Sequence, residues 1–381
     1  MARAAGDNCG RDERSDSRCR RRRIAGVAAA LMLGLAAAPV AGAGMDELKF
    51  FRIGTAATTG TYFQVGGVLA SAISKPSGSR DCDHGGSCGV PGLVAVAQAS
   101  QGSVQNVLAV SAGQLESALA QADIAYWAYT GALHAARRCG AGKEDAAARN
   151  GGTALLKSHG PLKNLRAIAS LYPEDIHVVV RADSAIRSLR DLKGKRVALG
   201  EPESGTLTDA RMVIEAAGLS ECEMKPEYLR LSEAADGLVQ GRIDAFFLVG
   251  GYPVPAITDV TAATATRLVP IPREVAERLS RKFSFYGTDI IPGGSYPGID
   301  GDTATVSTMA LWLVREEIDD DLVYAITKAL WRDTTKRLLD AAHPVGHRIR
   351  LASAFDGVAI PLHPGAARFY REVGLHPPNG L

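Results

Sequence analysis

The chain has 381 residues, 46% of them hydrophobic, with 43 Lys or Arg against 41 Asp or Glu. That composition suits one large or two medium globular domains. Residues 1–43 hold eight Arg and four acids; without them 35 basic residues face 37 acidic ones, a net of −2, which points to neither nucleic acid nor an anionic membrane surface as a partner.

The first segment reads as an export signal. Arg20–Arg23 form a basic cluster, Ile24–Ala38 an apolar run, and Ala41-Gly42-Ala43 a small-residue cleavage site, so residues 1–43 are expected to be a signal peptide cut after Ala43. A retained anchor is the alternative, but the run is Ala-rich and shorter than the roughly 20 apolar residues a span needs. Four consecutive Arg leave general secretion and twin-arginine export equally open. Beyond residue 44 no apolar run is long enough to cross a bilayer, and the mature protein is expected in the periplasm.

The following segments alternate strands and helices. Phe50–Gly54 reads as a strand running into the Thr55–Thr61 turn and a helix over Tyr62–Ile73. Between Cys82 and Cys88 lies a Gly-rich loop; in an oxidising compartment the two are expected to pair. A metal site of Cys82, His84 and Cys88 lacks a convincing fourth ligand. A Cys139–Cys222 bond is left open. Leu93–Ala99 reads as a strand, Ser103–Ser111 as a helix, and Gln114–Gln121 as a short helix leading into Ile124–Tyr129. Gly140–Leu162 reads as a surface loop. Leu165–Tyr172 and Ile176–Arg181 read as two strands.

A second strand–loop–helix unit follows: Lys195–Leu199, the loop Gly200–Thr206, and a helix over Thr208–Ala217 stopped by Gly218. Tyr228–Leu231, Ile243–Val249 and Val306–Val314 read as strands, Ser232–Val239 and Asp320–Trp331 as helices. The alternation indicates an α/β protein with parallel sheets.

Two loops share one physical logic. Gly54–Tyr62 and Glu203–Thr206 each leave a strand, carry Gly, Ser and Thr, and open a helix. Backbone N–H groups and hydroxyls at the positive end of a helix dipole suit a carboxylate or other small anion, although Ser and Thr also serve there as plain caps. Gln101–Asn106 offers a third such start. Catalytic patterns fail on context. Gly85-Gly86-Ser87-Cys88-Gly89 matches a nucleophile elbow but lacks the strand before and helix after. His343 and His347 have metal-pair spacing, but Pro344 and Gly346 argue for a loop. His177, inside a β-run, reads as structural. Trp127 and Tyr129 read as core.

In order, Ile53–Tyr62 (IGTAATTGTY), Gly102–Asn106 (GSVQN), Gln121–Asp123 (QAD), Leu165–Leu171, Val180–Asp183, Leu189–Val197, Glu203–Thr206 (ESGT), Ser232–Ala235, Ile243–Phe246, Tyr296-Pro297-Gly298 and Pro361–Gly365 resemble the TAXI solute receptors of TRAP-type transporters over about Phe51–Gly374. The resemblance implies an α/β, two-lobed type II periplasmic binding protein-like fold: residues 44–181 as lobe 1, 182–295 as lobe 2, and 296–381 returning to lobe 1, with crossings near Val179–Asp183 and Val306–Val314. It implies a monomer without cofactor or metal that captures a small carboxylate or amino acid, glutamate-like, and delivers it to a membrane permease. It places Thr55, Thr58, Tyr62, Ser103, Asn106 and Gln121 on one side of the ligand, facing Ser204, Gly205 and Thr206, with Tyr62 as wall and donor. Ala56 and Ala57 stand where the family usually has glycines, Ala122 where many members have Ser, and the Cys82–Cys88 insertion occurs in only part of the family. These departures bear on ligand identity. The alternatives are a solute-binding protein of an ABC transporter, a ligand sensor acting on a membrane kinase, and a secreted hydrolase using Ser87.

Overall fold

A computed structural model describes residues 48–132 and 153–378. The expected signal peptide and Cys139 lie outside the described residues. The chain opens with β1 (Lys49–Gly54), α1 (Thr61–Ile73), the short β2 (Ser74–Lys75) and β3 (Val90–Pro91), then β4 (Leu93–Gln98) and α2 (Ser103–Ser111). Next come β5 (Ser117–Gln121), α3 (Ala122–Thr130), α4 (Thr153–His159) and β6 (Leu165–Arg181). The second half brings β7 (Arg196–Ala198), α5 (Gly205–Ala216), β8 (Lys225–Glu227), α6 (Leu231–Val239), β9 (Ala245–Gly250) and α7 (Pro255–Ala263). It continues through β10 (Thr266–Leu268), α8 (Arg273–Lys282), β11 (Gly287–Ile291) and β12 (Thr303–Arg315), and ends in α9 (Asp320–Leu330), α10 (Asp333–Ala342) and α11 (Pro364–Glu372).

Ten of the described strands form one mixed sheet in the order β4-β1-β5-β12-β6-β9-β7-β8, with β10 beside β6 and β11 beside β12, while β2 and β3 pair separately. Its two ends, β4-β1-β5 and β9-β7-β8, are parallel. The long β6 and β12 run antiparallel to their neighbours, so the sheet is mixed, not parallel throughout. Each parallel end carries its own helices, which gives two α/β lobes sharing two strands. β6 pairs with β12 from Leu165 to Asp175 and with β9 from Asp175 to Val180. β12 pairs with β11 at Thr303–Ser307 and with β5 at Ala310–Val314. Both strands therefore change neighbours near Asp175 and Ser307–Ala310.

Three segments differ from the sequence reading. Ser117–Gln121 is a strand where a short helix was expected, and the apolar run after it is the helix Ala122–Thr130. All five β5 residues are buried between β1 and β12, and in that slot the ladder overrides helix propensity. Leu165–Arg181 is one 17-residue strand, not two. Pro173 sits within it opposite Met309 and, with two acids after it, reads as a break only until the neighbouring strands are seen. Thr153–His159 is helical where a loop was expected.

Aromatic packing anchors the core. Trp127 is fully buried against the rings of Phe283 and Phe285, at 5.7 and 5.5 Å between centroids, and Trp312 donates its indole N–H to Ser117 Oγ at 3.1 Å. Trp127 is thus a core residue, and Tyr129 packs against the same cluster. Cys82 and Cys88 are joined by a disulfide, and Ser87 inside that loop donates to the carbonyl of Ser74. His177 is buried between the Asp175 carbonyl (2.9 Å) and the Tyr296 hydroxyl (2.8 Å), and burial pushes its imidazole down to about 4. His343 accepts from Val345 N and bonds the Pro253 carbonyl at 2.8 Å, a loop-bracing role. Among the described residues no helix is long and apolar enough to cross a membrane.

Candidate functional site

The three helix starts singled out in the sequence meet at the seam between the lobes. α1 follows Gly60 and α2 follows Gly102, neither with a side-chain cap; α5 follows Ser204, whose hydroxyl accepts from Leu207 N at 3.2 Å. Around them lies a cleft connected to solvent. One lobe contributes Ala56, Ala57, Gly60, Thr61, Tyr62, Gln101, Gly102, Ser103 and Gln121; the other contributes Glu201, Ser204, Gly205, Thr206, Leu231 and Leu248–Gly250. Glu174, from the shared strand β6, completes it.

The lobes touch. Val104 N and Gln105 N, orphan donors at the start of α2, both point at the Glu203 carbonyl, at 3.2 and 3.3 Å. An ideal Cβ on Gly102, whose φ is +112°, would stand 3.5 Å from Ser204 Cα. One on Gly205 would stand 1.3 Å from Gln121 Oε1, so only glycine admits the Gln121 side chain there. Across the other end of the seam, Thr61 Oγ1 donates to the Gly251 carbonyl at 2.7 Å and Ala256 N to the Thr59 carbonyl at 3.1 Å. This is a closed arrangement.

Six residues named from the sequence line the cleft: Tyr62, Ser103, Gln121, Ser204, Gly205 and Thr206. Ser103 Oγ donates to Gln121 Oε1 at 3.0 Å and accepts from Gln121 N at 3.1 Å, so β5 and α2 position each other. Thr206 Oγ1 accepts from Val249 N at 3.2 Å, tying α5 to β9. The structure does not bring the other three to the cleft lining. Thr55 is buried and donates to the Gln98 carbonyl at 2.8 Å. Asn106 donates to the carbonyls of Thr55 (2.6 Å) and Leu119 (2.7 Å), bracing the first loop from behind. Thr58 is exposed.

Two acids were missed. Tyr62, expected to offer its hydroxyl to the ligand, donates it at 2.6 Å to Glu174 Oε2. Burial pushes the Glu174 carboxyl up to about 8, offset in part by that hydrogen bond. Glu201 rises to about 7, chiefly through burial, despite Arg230 Nε 3.8 Å away. Among the described residues no Lys, Arg or His lines the cleft. In the sequence, Glu174 stands after Pro173 in what reads as a gap between two strands; only within one continuous strand does alternation send it and Asp175 to opposite faces. Among the described residues no group of three or more His, Cys, Asp or Glu is placed to hold a metal ion.

A family model described as NMT1-like matches residues 53–140 and 141–374. The chain belongs to the NMT1-like family. Among solved structures, this family member is similar to the periplasmic aliphatic sulphonate binding protein SsuA from Escherichia coli. They are 15% identical with a TM-score of 0.41, the match covering 84% of this chain and 78% of that one. It is also similar to an ancestral arginine-binding protein bound to arginine, at 16% identity and a TM-score of 0.41, covering 78% and 99% of the two chains. A third is the zinc-bound ligand-binding component of an ABC-type import system from Staphylococcus aureus, at 10% identity and a TM-score of 0.45, covering 87% and 94%.

Proposed function

We propose that this protein is an extracytoplasmic solute receptor that closes two lobes over one small ligand and presents the closed form to a membrane permease. The observation that carries it is the convergence of three helix N-termini, from both lobes, on one solvent-connected cleft with a buried carboxyl beside them. The lobes would be about residues 44–181 and 182–295, with 296–381 returning to the first. The hinge would lie where β6 and β12 change neighbours.

The lining argues for an amino-acid-like ligand. Backbone donors at the helix starts, with Ser103, Ser204 and Thr206, suit a carboxylate. Glu174 suits an ammonium group, because a buried carboxyl that holds a proton at pH 7 for lack of a cation gains most from receiving one. Arginine and aliphatic sulphonate are the ligands in the names of two similar proteins. The cleft, with two acids and no basic side chain, fits an amine-bearing compound better than a bare sulphonate.

Two transporter classes remain in play. The TRAP-type reading rests on the motif resemblance to TAXI receptors; the ABC-type reading accords with the import system named for the Staphylococcus aureus protein. Export to the periplasm rests on the signal-like segment of residues 1–43. A thermal-shift panel of amino acids, their des-amino analogues, dicarboxylates and sulphonates tests the ligand class. A ligand at a hundredfold excess over its dissociation constant stabilises the folded state by about 2.7 kcal/mol. A shift confined to amine-bearing carboxylates supports the reading, and shifts with sulphonates alone would refute the ligand class. Reconstitution of the receptor with an ATP-driven or an ion-gradient-driven permease then distinguishes the transporter classes.

A further inference from the structure

The rear wall of the seam holds two carboxyls that ligand binding leaves unused. Asp123 lies in the first turn of α3, in the lobe of β1 and β5; Asp209 lies in α5, in the other lobe. Both are fully buried. Tyr286, just before β11, donates its hydroxyl to Asp209 Oδ1 and stands 3.4 Å from Asp123 Oδ2. Gln121, at the end of β5, donates its Nε2 to Asp209 Oδ2, while its Oε1 receives Ser103 Oγ from α2. Both carboxyls thus face the one Tyr286 hydroxyl, and the next charge acting on the pair is another acid, Glu174 of β6, itself held by Tyr62 of α1. The groups bonded to the pair are thus an amide and a phenol, with no cation among them.

Two buried carboxylates on one phenol hydroxyl, without a cation beside them, cannot both ionise. An ionised Asp123 would also leave Oδ1, which is buried and has no hydrogen-bond partner, without a donor. A single shared proton removes both difficulties. We propose that Asp123 and Asp209 form an interlobe latch that positions Gln121 and holds one shared proton when the lobes are closed, so that closure takes up that proton and opening returns it to water. The latch rests on the receptor reading only in taking this seam as one that opens.

The sign follows from where the proton is held. Burial raises both carboxyls in the closed form, while in open, solvated lobes each would ionise near 4. Above that range the closed form binds one more proton than the open form, so rising pH favours opening. One linked proton changes the closed-to-open ratio by at most about tenfold per pH unit. The pair titrates together, and neither carboxyl owns the proton.

Small-angle X-ray scattering of the purified protein without added ligand tests this. The radius of gyration is expected to rise between pH 5 and pH 8 in the wild type. Asp209→Asn and, independently, Asp123→Asn are expected to keep the compact value at both pH values, because one carboxylate with amide and phenol donors needs no proton. A wild-type radius unchanged between the two pH values would overturn the latch, as would a rise that survives in both Asn variants. No ligand enters the experiment, so failure to find a solute would leave this result standing on its own.

Discussion

Glu174 shows how one residue sets the chemistry of the cleft. It is buried in a β-strand, bonded by Tyr62, and raised to about 8. A carboxyl with a raised folded-state value binds its proton more tightly in the native protein. Its contribution to stability is therefore complete below the ordinary carboxylate range and is lost as pH rises toward 8. Unfolding by urea should show wild-type stability falling between pH 5 and pH 8 more steeply than that of Glu174→Gln, the difference being at most about 1.4 kcal/mol per pH unit. With an amine-bearing ligand, the same substitution should erase the preference over the des-amino analogue, expected to be tenfold or more in the wild type; competition binding measures it. Ser103 and Ser204–Thr206 were legible from helix-start chemistry, and Tyr62 and Gln121 from the family resemblance. Glu174 was not, because Pro173 looked like a break, and the strand that overrides it is supplied by residues more than a hundred positions away. Thr55, in the loop before α1, and Asn106, in α2, were expected at the ligand, but the sequence could not say that both turn to backbone carbonyls instead.

At the scale of elements, the cleft depends on how helices begin. Ser204 caps α5, and Ser204→Ala should cost about 1 kcal/mol of stability in a denaturant titration through loss of that cap. Gly205 makes the opposite kind of contribution. Gly205→Ala places a Cβ into Gln121 Oε1 and should weaken solute binding at least tenfold while leaving stability within about 1 kcal/mol, since alanine suits the first turn of a helix. Calorimetry on the variant separates these effects. The disulfide loop belongs to neither function: Cys82 and Cys88 do not line the cleft. Replacing both with Ser should cost about 2 kcal/mol, as expected for a short cross-linked loop, with binding unchanged. The positions of α1, α2 and β4 followed closely from periodicity and turn residues. β5 was read as a short helix because a fully buried five-residue strand carries no alternation to read.

The whole molecule is two α/β lobes that share β6 and β12 and meet face to face over the cleft. The α/β class was legible from the alternation of strands and helices, whereas the antiparallel shared strands were not, since the direction of a strand depends on connections hundreds of residues apart. The contacts of Glu203 with α2, of Gly205 with Gln121 and of Thr61 with Gly251 all cross the seam, so closing the lobes assembles the ligand site. The most direct test is isothermal titration of the best amine-bearing carboxylate from the panel into wild type, Glu174→Gln and Gly205→Ala. The account predicts one ligand per chain in the wild type and dissociation constants at least tenfold weaker in both variants. Equal affinity in all three would place the ligand elsewhere and contradict the assignment of the interlobe cleft.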